Sequence, residues 1–139
     1  MNRFPVYSLL LLLTRVAFAG SLNGVVGLPD QGMANVMVRD SAGNLYLGGQ
    51  GAFVIKLTSD GAKIVFQTKV SPNAQDTVTA LAVASDGSIL IAGATSGDFP
   101  VTPDAAEPQP SSNPTPTGFF ARLNANGKVI YASYLNAAS

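Results

Sequence analysis

Hydrophobic and polar positions alternate in short bursts along most of this chain, and the bursts fall into two sets. In the first set, Ala34 to Arg39 alternates weakly and Leu45-Tyr46-Leu47 runs up to Gly48-Gly49. Phe53 to Leu57 follows, and Lys63 to Val70 closes the set. Between these bursts stand Asp40-Ser41-Ala42-Gly43-Asn44 and Thr58-Ser59-Asp60-Gly61. In such segments Asp and Asn bond their own backbone and Gly takes positive φ, so tight turns are expected. The second set reads Val78 to Ala84, a turn at Ser85-Asp86-Gly87, then Ser88 to Ala92 and Gly93. Phe119 to Leu123 and Lys128 to Leu135, around Asn126-Gly127, complete it. Each set predicts four short strands. No stretch after residue 20 sustains a 3.6-residue apolar period, so helices should be scarce.

The two sets are copies. DSAGNLYLGG, AFVIKLTSDG and KIVFQTKV in the first match ASDGSILIAG, FFARLNANG and KVIYASYL in the second. Gly49 and Gly93 lie 44 residues apart, whereas Gly61 and Gly127 lie 66 apart. The difference of 22 is an insertion in the second copy. A unit of about 40 residues holding several short strands has the spacing of propeller blades. The expected fold is therefore all-β, with two four-stranded antiparallel β-propeller-type blades forming a partial propeller. Residues 34–70 are the first repeat, 71–77 the linker and 78–135 the second repeat, with a tail at 136–139. The insertion, residues 95–117, holds six of the nine prolines. Proline cannot donate to a ladder, so an extended surface loop, partly polyproline II, is expected there. An inert loop is the first reading and a ligand for an aromatic groove the second.

The beginning of the chain belongs to neither copy. Asn2-Arg3, the apolar run Leu9 to Leu13, and Ala17-Phe18-Ala19 read as a secretory signal, residues 1–19, cleaved after Ala19. The apolar part is too short to span a bilayer as a helix, and Arg15 is an unusual member of it. Residues 20–33 form a lead-in segment or an outer strand. The expected localisation is secreted, periplasmic or at the cell surface. Cleavage would leave six of the eight basic side chains against eight acidic ones. Charged residues are only 12% of the chain and show no basic cluster, so neither nucleic acid nor an anionic membrane is an expected partner. The chain has no cysteine and no histidine, which leaves packing and strand pairing as its means of stability.

The second copy resembles a known family. Asp86-Gly87, Ile91-Ala92-Gly93-Ala94-Thr95-Ser96-Gly97-Asp98-Phe99-Pro100-Val101-Thr102-Pro103, Gly118 to Leu123, and Tyr131-Ala132-Ser133-Tyr134-Leu135 carry the likeness. They are similar to the bacterial seven-bladed β-propeller repeat (SBBP) family, over roughly residues 34–135. The Thr-Ser-x-Asp-Phe-Pro core is its most specific part. The first copy departs by passing from Gly49 directly to Phe53 without an Asp-Phe-Pro segment, and Asn136-Ala137 replaces the usual Gly-Gly. The resemblance implies a secreted or surface β-propeller without an assigned chemistry, usually with many blades in one chain.

Absence of histidine excludes Ser-His-Asp triads, and absence of both His and Cys excludes a zinc site built on them. Eight carboxylates remain: Asp30, Asp40, Asp60, Asp76, Asp86, Asp98, Asp104 and Glu107. Most stand beside Gly, Asn or Pro, which predicts turn caps rather than the facing pair a glycosidase needs. Asp98 and Asp104 could supply oxygens to Ca²⁺, but no Asp-x-Asp-x-Asp spacing accompanies them. Asp98 reads instead as a turn cap, with Phe99 packed as an anchor. Gly48-Gly49-Gln50-Gly51 lacks the following helix of a phosphate loop and reads as a strand connection. Tyr46, Phe53, Phe66, Phe119, Phe120, Tyr131 and Tyr134 could stack on carbohydrate, yet at strand positions they read as inter-blade core. No catalytic, cofactor or metal residue is assigned.

The expected function is a non-catalytic binding or scaffold module with an unknown ligand or protein partner. The alternative is one subunit of a ring-assembled propeller enzyme, of glycosidase or lyase type, using carboxylates. Repeat arrays generally need about three or more units for stability. Three expectations follow: a truncated fragment of a larger propeller, a homo-oligomer closing the ring from three or four copies, or a two-sheet sandwich whose faces cover each other.

Overall fold

The computed structural model describes residues 32–112 and 116–136. The expected leader and nearly all of the lead-in segment lie outside them. The described residues form eight strands and no helix. In chain order these are β1 (Ala34–Arg39), β2 (Leu45–Gly49), β3 (Phe53–Leu57), β4 (Ile64–Lys69), β5 (Thr77–Val83), β6 (Ile89–Thr95), β7 (Thr117–Leu123) and β8 (Val129–Leu135). Strands β1 to β4 make one antiparallel meander and β5 to β8 a second, each pairing in sequence order.

The copies share irregularities as well as strands. The β1–β2 register shifts between Ala34 and Val36, and the β5–β6 register shifts between Val78 and Ala80, 44 residues later. The shifts after Lys56 and after Arg122 are 66 apart. Glycine is required beside the first kind of bulge. A Cβ on Gly49 would lie 2.0 Å from the Met33 carbonyl oxygen, and one on Gly93 would lie 1.9 Å from that of Thr77. Only a residue without a side chain lets the backbones approach so closely.

The two sheets pack face to face through one apolar core. The first sheet contributes Val36, Val38, Tyr46, Val54 and Phe66, and the second Val78, Leu81, Ile89, Ile91, Ala121 and Leu123. Strands β1 and β2 lie nearest to β5. A Cβ on Gly48 would lie 2.9 Å from Val78 Cγ1, which marks how closely the sheets meet. Polar bonds cross the seam at both ends, with Asn35 Nδ2 donating to Thr77 Oγ1 at 2.8 Å and Thr68 Oγ1 to the Gly127 carbonyl at 2.6 Å. Phe53, Ile55 and Leu57 form a smaller buried cluster with Leu45 and Leu47 on the opposite face of the first sheet.

The Pro-rich insertion differs from the expectation in two respects. Its flanking strands are longer than predicted, because β6 continues to Thr95 and β7 begins at Thr117, which pair with each other. The segment between them is also more than an inert surface loop. It folds across the sheet and occupies the free edge of β8. Thr102 N donates to the Ala132 carbonyl at 3.0 Å, and Ala132 N donates to Thr102 Oγ1 at 3.0 Å. Tyr134 N donates to the Glu107 carbonyl at 3.1 Å, and Glu107 N donates to Ser133 Oγ at 3.0 Å. An unpaired edge is a template for aggregation, and these bonds cover it. Prolines fit this role because the segment makes only a few ladder bonds, leaving most of its own amides unneeded. No such cover of the equivalent strand β4 is found among the described residues, and Val65 on it stands exposed.

Candidate functional site

Phe99 is the anchor that the sequence suggests. It is buried and stacks on Phe119 with ring centroids 4.0 Å apart and planes at 19°. The Tyr134 ring meets it edge-on at 6.3 Å. The Tyr134 hydroxyl accepts from Phe99 N at 3.0 Å and donates to the Gly97 carbonyl. One tyrosine thus fixes both sides of the Gly97–Phe99 bend. Burial pushes the Tyr134 hydroxyl above its ordinary range, reinforced by the charges of Asp98 and Asp76 and partly opposed by the Phe99 amide. Asp98 itself is exposed, and the carboxylate that organises this corner is Asp76.

Asp76 has no exposed surface and sits where the two repeats join. Its Oδ2 accepts from Ser71 Oγ at 2.6 Å and its Oδ1 from Ser96 N at 3.1 Å. Its carbonyl accepts from Gly51 N at 2.7 Å and from Ala52 N at 3.0 Å. Gly51 N belongs to the Gly48 to Gly51 stretch of the phosphate-cradling reading and is committed within the protein, as is Gln50 N, which donates to the Met33 carbonyl at 3.0 Å. Sequence placed Asp76 among eight similar acids and gave it no distinction. The nearest signal is Thr95-Ser96, at the start of the most specific run, because Ser96 provides the amide that Asp76 holds.

A cleft of about 370 Å³ opens at the other end of the seam, between the β1–β2 and β5–β6 turns. Arg39, Asp40, Tyr46 and Lys56 form one wall, and Val83 to Ser85 form the other. Asp40 Oδ1 accepts from Asn44 N at 2.8 Å, while Oδ2 accepts from Asn44 Nδ2 at 2.9 Å and the Tyr46 hydroxyl at 3.1 Å. Lys56 Nζ lies 3.9 Å from the carboxylate and 5.1 Å from the Tyr46 ring centre. Burial raises Asp40, but the Asn44 and Tyr46 hydrogen bonds and the Lys56 charge outweigh it and hold the carboxyl below its ordinary value. Asp40 is therefore ionised at neutral pH and occupied as a clamp. The facing wall offers no carboxylate. Asp86, on the same turn, bonds Ser88 and pairs with Arg122 at 3.0 Å. A general acid needs a proton at working pH and a partner facing it, and the cleft supplies neither.

The remaining candidates distribute as follows. Asp60 caps its own turn, accepting from Thr58 Oγ1 at 2.5 Å and Ala62 N at 3.0 Å. Asp104 and Glu107 are exposed on the insertion, and Asp30 lies outside the described residues. No group of three or more His, Cys, Asp or Glu among the described residues is placed to hold a metal ion. Tyr46, Phe119 and Tyr134 are buried in the core that includes the seam, as the inter-blade reading expects, whereas Phe53 is buried in the separate cluster on the opposite face of the first sheet. Phe120 and Tyr131 instead form a half-buried tilted pair, with centroids 6.2 Å apart, on the outer face of the second sheet. That face also carries Ala80, Ala82, Leu90 and Ala92 and encloses a shallow apolar hollow of about 180 Å³. No helix among the described residues is long and apolar enough to cross a membrane. Neither the family models nor the curated proteins searched contain a match to this chain.

Proposed function

We propose that this chain is an exported β-propeller repeat protein that acts as a non-catalytic binding or scaffold module. The observation that carries the reading is the outer face of the second sheet. Its centre is Ala80, Ala82, Leu90, Ala92 and Phe120, an apolar surface without a described element over it. Exposed contiguous apolar patches are a feature of surfaces that contact a protein or another ligand. The matching bulges and registers of the two sheets support a repeat architecture, and the leader read in residues 1–19 supports export. Of the described carboxylates, Asp40, Asp60, Asp76 and Asp86 act as turn caps, ion-pair partners or a junction clamp, so these four lend the enzymatic alternative no support.

The test is expression in a bacterial host followed by fractionation and intact-mass measurement, with a photo-crosslinking residue at position 90. The expected product begins at residue 20, resides outside the cytoplasm and forms adducts through position 90 but not through a control at Ser59. An uncleaved cytoplasmic chain would remove the export reading. A processed chain without adducts at position 90 would remove the scaffold reading.

A further inference from the structure

The last strands of the two sheets are copies of each other with different surroundings. Ile64 pairs with Leu57 as Val129 pairs with Leu123, and Lys69 pairs with Phe53 as Tyr134 pairs with Phe119. Strand β8 therefore repeats β4 at a spacing of 65 residues, one fewer than Gly61 and Gly127 show, because Ala62 has no counterpart. In antiparallel pairs the hydrogen-bonded positions alternate along the strand. Val70 N donates to the Ala52 carbonyl at 2.8 Å, so Thr68 and Phe66 carry the next bonds to β3. Gln67 and Lys69 then turn their N–H and C=O groups away from β3. The second sheet agrees. Ala132 and Tyr134, the counterparts of Gln67 and Lys69, are the residues of β8 whose backbone groups the insertion meets.

Among the described residues, no bond from beyond the β3–β4 ladder reaches the backbone of Gln67 or Lys69, and both residues are exposed. A strap like the insertion does not fit this edge. On β8 the strap is fastened by the Ser133 and Tyr134 hydroxyls, which accept from Glu107 N and Phe99 N. At the counterpart positions Thr68 Oγ1 is already engaged with the Gly127 carbonyl, and Lys69 has no acceptor on its side chain. A regular strand needs neither anchor, because every second residue turns both of its backbone groups to the edge. Proline is absent from β4 and Val65 is 53% exposed, so the edge is open to such pairing.

We infer that two copies of this chain pair antiparallel through β4, about a two-fold axis at Gln67. The edge is its own complement, since Gln67 N of each copy donates to the Gln67 carbonyl of the other. Lys69 falls opposite Val65 of the copy, with its aliphatic stem on that apolar side chain and its charge in water. The neighbouring axes are worse. One at Lys69 sets like charges directly opposite, and one at Phe66 brings Lys63 against Lys69 of the copy. One at Thr68 carries the pairing into Val70 and Ser71, which are buried. The first sheets of the two copies become one continuous sheet. Because the contact uses the same edge of both copies, assembly closes at two. It is separate from the outer face of the second sheet and does not depend on what that face binds.

Cysteine cross-linking tests the register, since the chain has no cysteine of its own. Residues opposed in a hydrogen-bonded antiparallel pair have Cα atoms about 5.5 Å apart, within disulfide reach. Under mild oxidation Gln67→Cys should form a covalent dimer much faster than Val65→Cys, Lys69→Cys or a control at exposed Ser59→Cys. A mixture of Val65→Cys and Lys69→Cys should link far faster than either alone. Sedimentation velocity of the wild type should show a dimer. Gln67→Pro deletes an outward N–H without touching the β3 ladder, and urea unfolding verifies that it remains folded. It should weaken the dimer about tenfold or more, because one hydrogen bond per copy is lost. A wild type that stays monomeric up to millimolar concentration overturns the inference, as does Gln67→Cys linking no faster than Ser59→Cys. A monomer whose Gln67 amide is protected from exchange also overturns it and assigns the edge to another segment of the same chain. Adducts at position 90 report on the other surface, so failure here leaves the scaffold reading standing.

Discussion

Replacing Asp76 by alanine removes the acceptor of two hydrogen bonds at the junction of the sheets, from Ser71 Oγ and Ser96 N. Each bond to a charged acceptor contributes about 1.5–3 kcal/mol, and each buried donor left unpaired costs about 1–3 kcal/mol. Removing a buried charge returns part of that, because the carboxylate no longer has to be held away from water. Ser96 also lies at the surface, where water can reach its amide, whereas Ser71 is buried. The expected loss is about 2–4 kcal/mol, a large share of the roughly 5–15 kcal/mol that stabilises a typical domain. Asp76→Asn keeps the size and one acceptor oxygen, so about half that loss is expected. Urea unfolding followed by both tyrosine fluorescence and far-ultraviolet circular dichroism measures the difference. Amide exchange adds a local readout. Ser96 should exchange much faster in Asp76→Ala, while Gly51 and Ala52, which bond the Asp76 carbonyl, should change less. A loss below about 1 kcal/mol, with Ser96 still protected, would refute the view that this carboxylate joins the repeats.

Tyr134→Phe should cost about 1–3 kcal/mol, because it leaves the buried Phe99 amide without its acceptor, and the near-ultraviolet spectrum of the aromatic cluster should report it. Phe99→Ala should cost about 3–5 kcal/mol by emptying the stack on Phe119. Both variants should also speed exchange of Ala132 and Tyr134, whose edge amides the insertion covers. Gly93→Ala should destabilise by at least about 3 kcal/mol in thermal unfolding, since its Cβ meets the Thr77 carbonyl, which cannot swing aside as a side-chain tip can. Stability should be nearly flat between about pH 5 and 8, because no histidine titrates there. Hydrogen bonds, from Ser88 to Asp86 and from Thr58 to Asp60, hold those carboxyls below their ordinary values, as Asp40 is also held. A folded value below the unfolded one, about 3.9, gives stability that is present above it and is lost as pH falls through the folded value. The acid limb should therefore begin below about pH 4. Tyr134 has the opposite sense: its raised folded value gives stability that is complete below about pH 10 and lost above it.

Local patterning was enough to specify the strands and their order. Alternation with period two, bounded by Asp, Asn and Gly, located β1, β3 and most of the others to within two or three residues. The repeat then made the two meanders legible, because turns such as Asp40 to Asn44 and Ala84 to Ser88 close with the same backbone bonds. Short hairpins are decided by neighbours in sequence, so sequence carries them. The strand ends at Thr95 and Thr117 were less legible, since a β-branched residue next to a Pro-rich run can pair or not according to its partner across the ladder.

Contacts between distant segments were decided by the tertiary structure alone. Asp76, Asp40 and Asp86 look alike in sequence, and only packing makes the first a buried junction and the other two ion-pair partners at the surface. The insertion reads as a loop because proline excludes a central strand, but nothing local says that it returns to cover β8. The same limit applies to the faces. Sequence gives every strand two sides, and alternation separates Met37 from Val38 and Leu81 from Ala82. Which side meets the other sheet depends on how the two meanders stack, and that placed Leu81 in the core while leaving its counterpart Met37 exposed. Hydrogen bonding along the chain is a local property, whereas burial belongs to pairs of surfaces far apart in sequence, and only the folded chain brings those surfaces together.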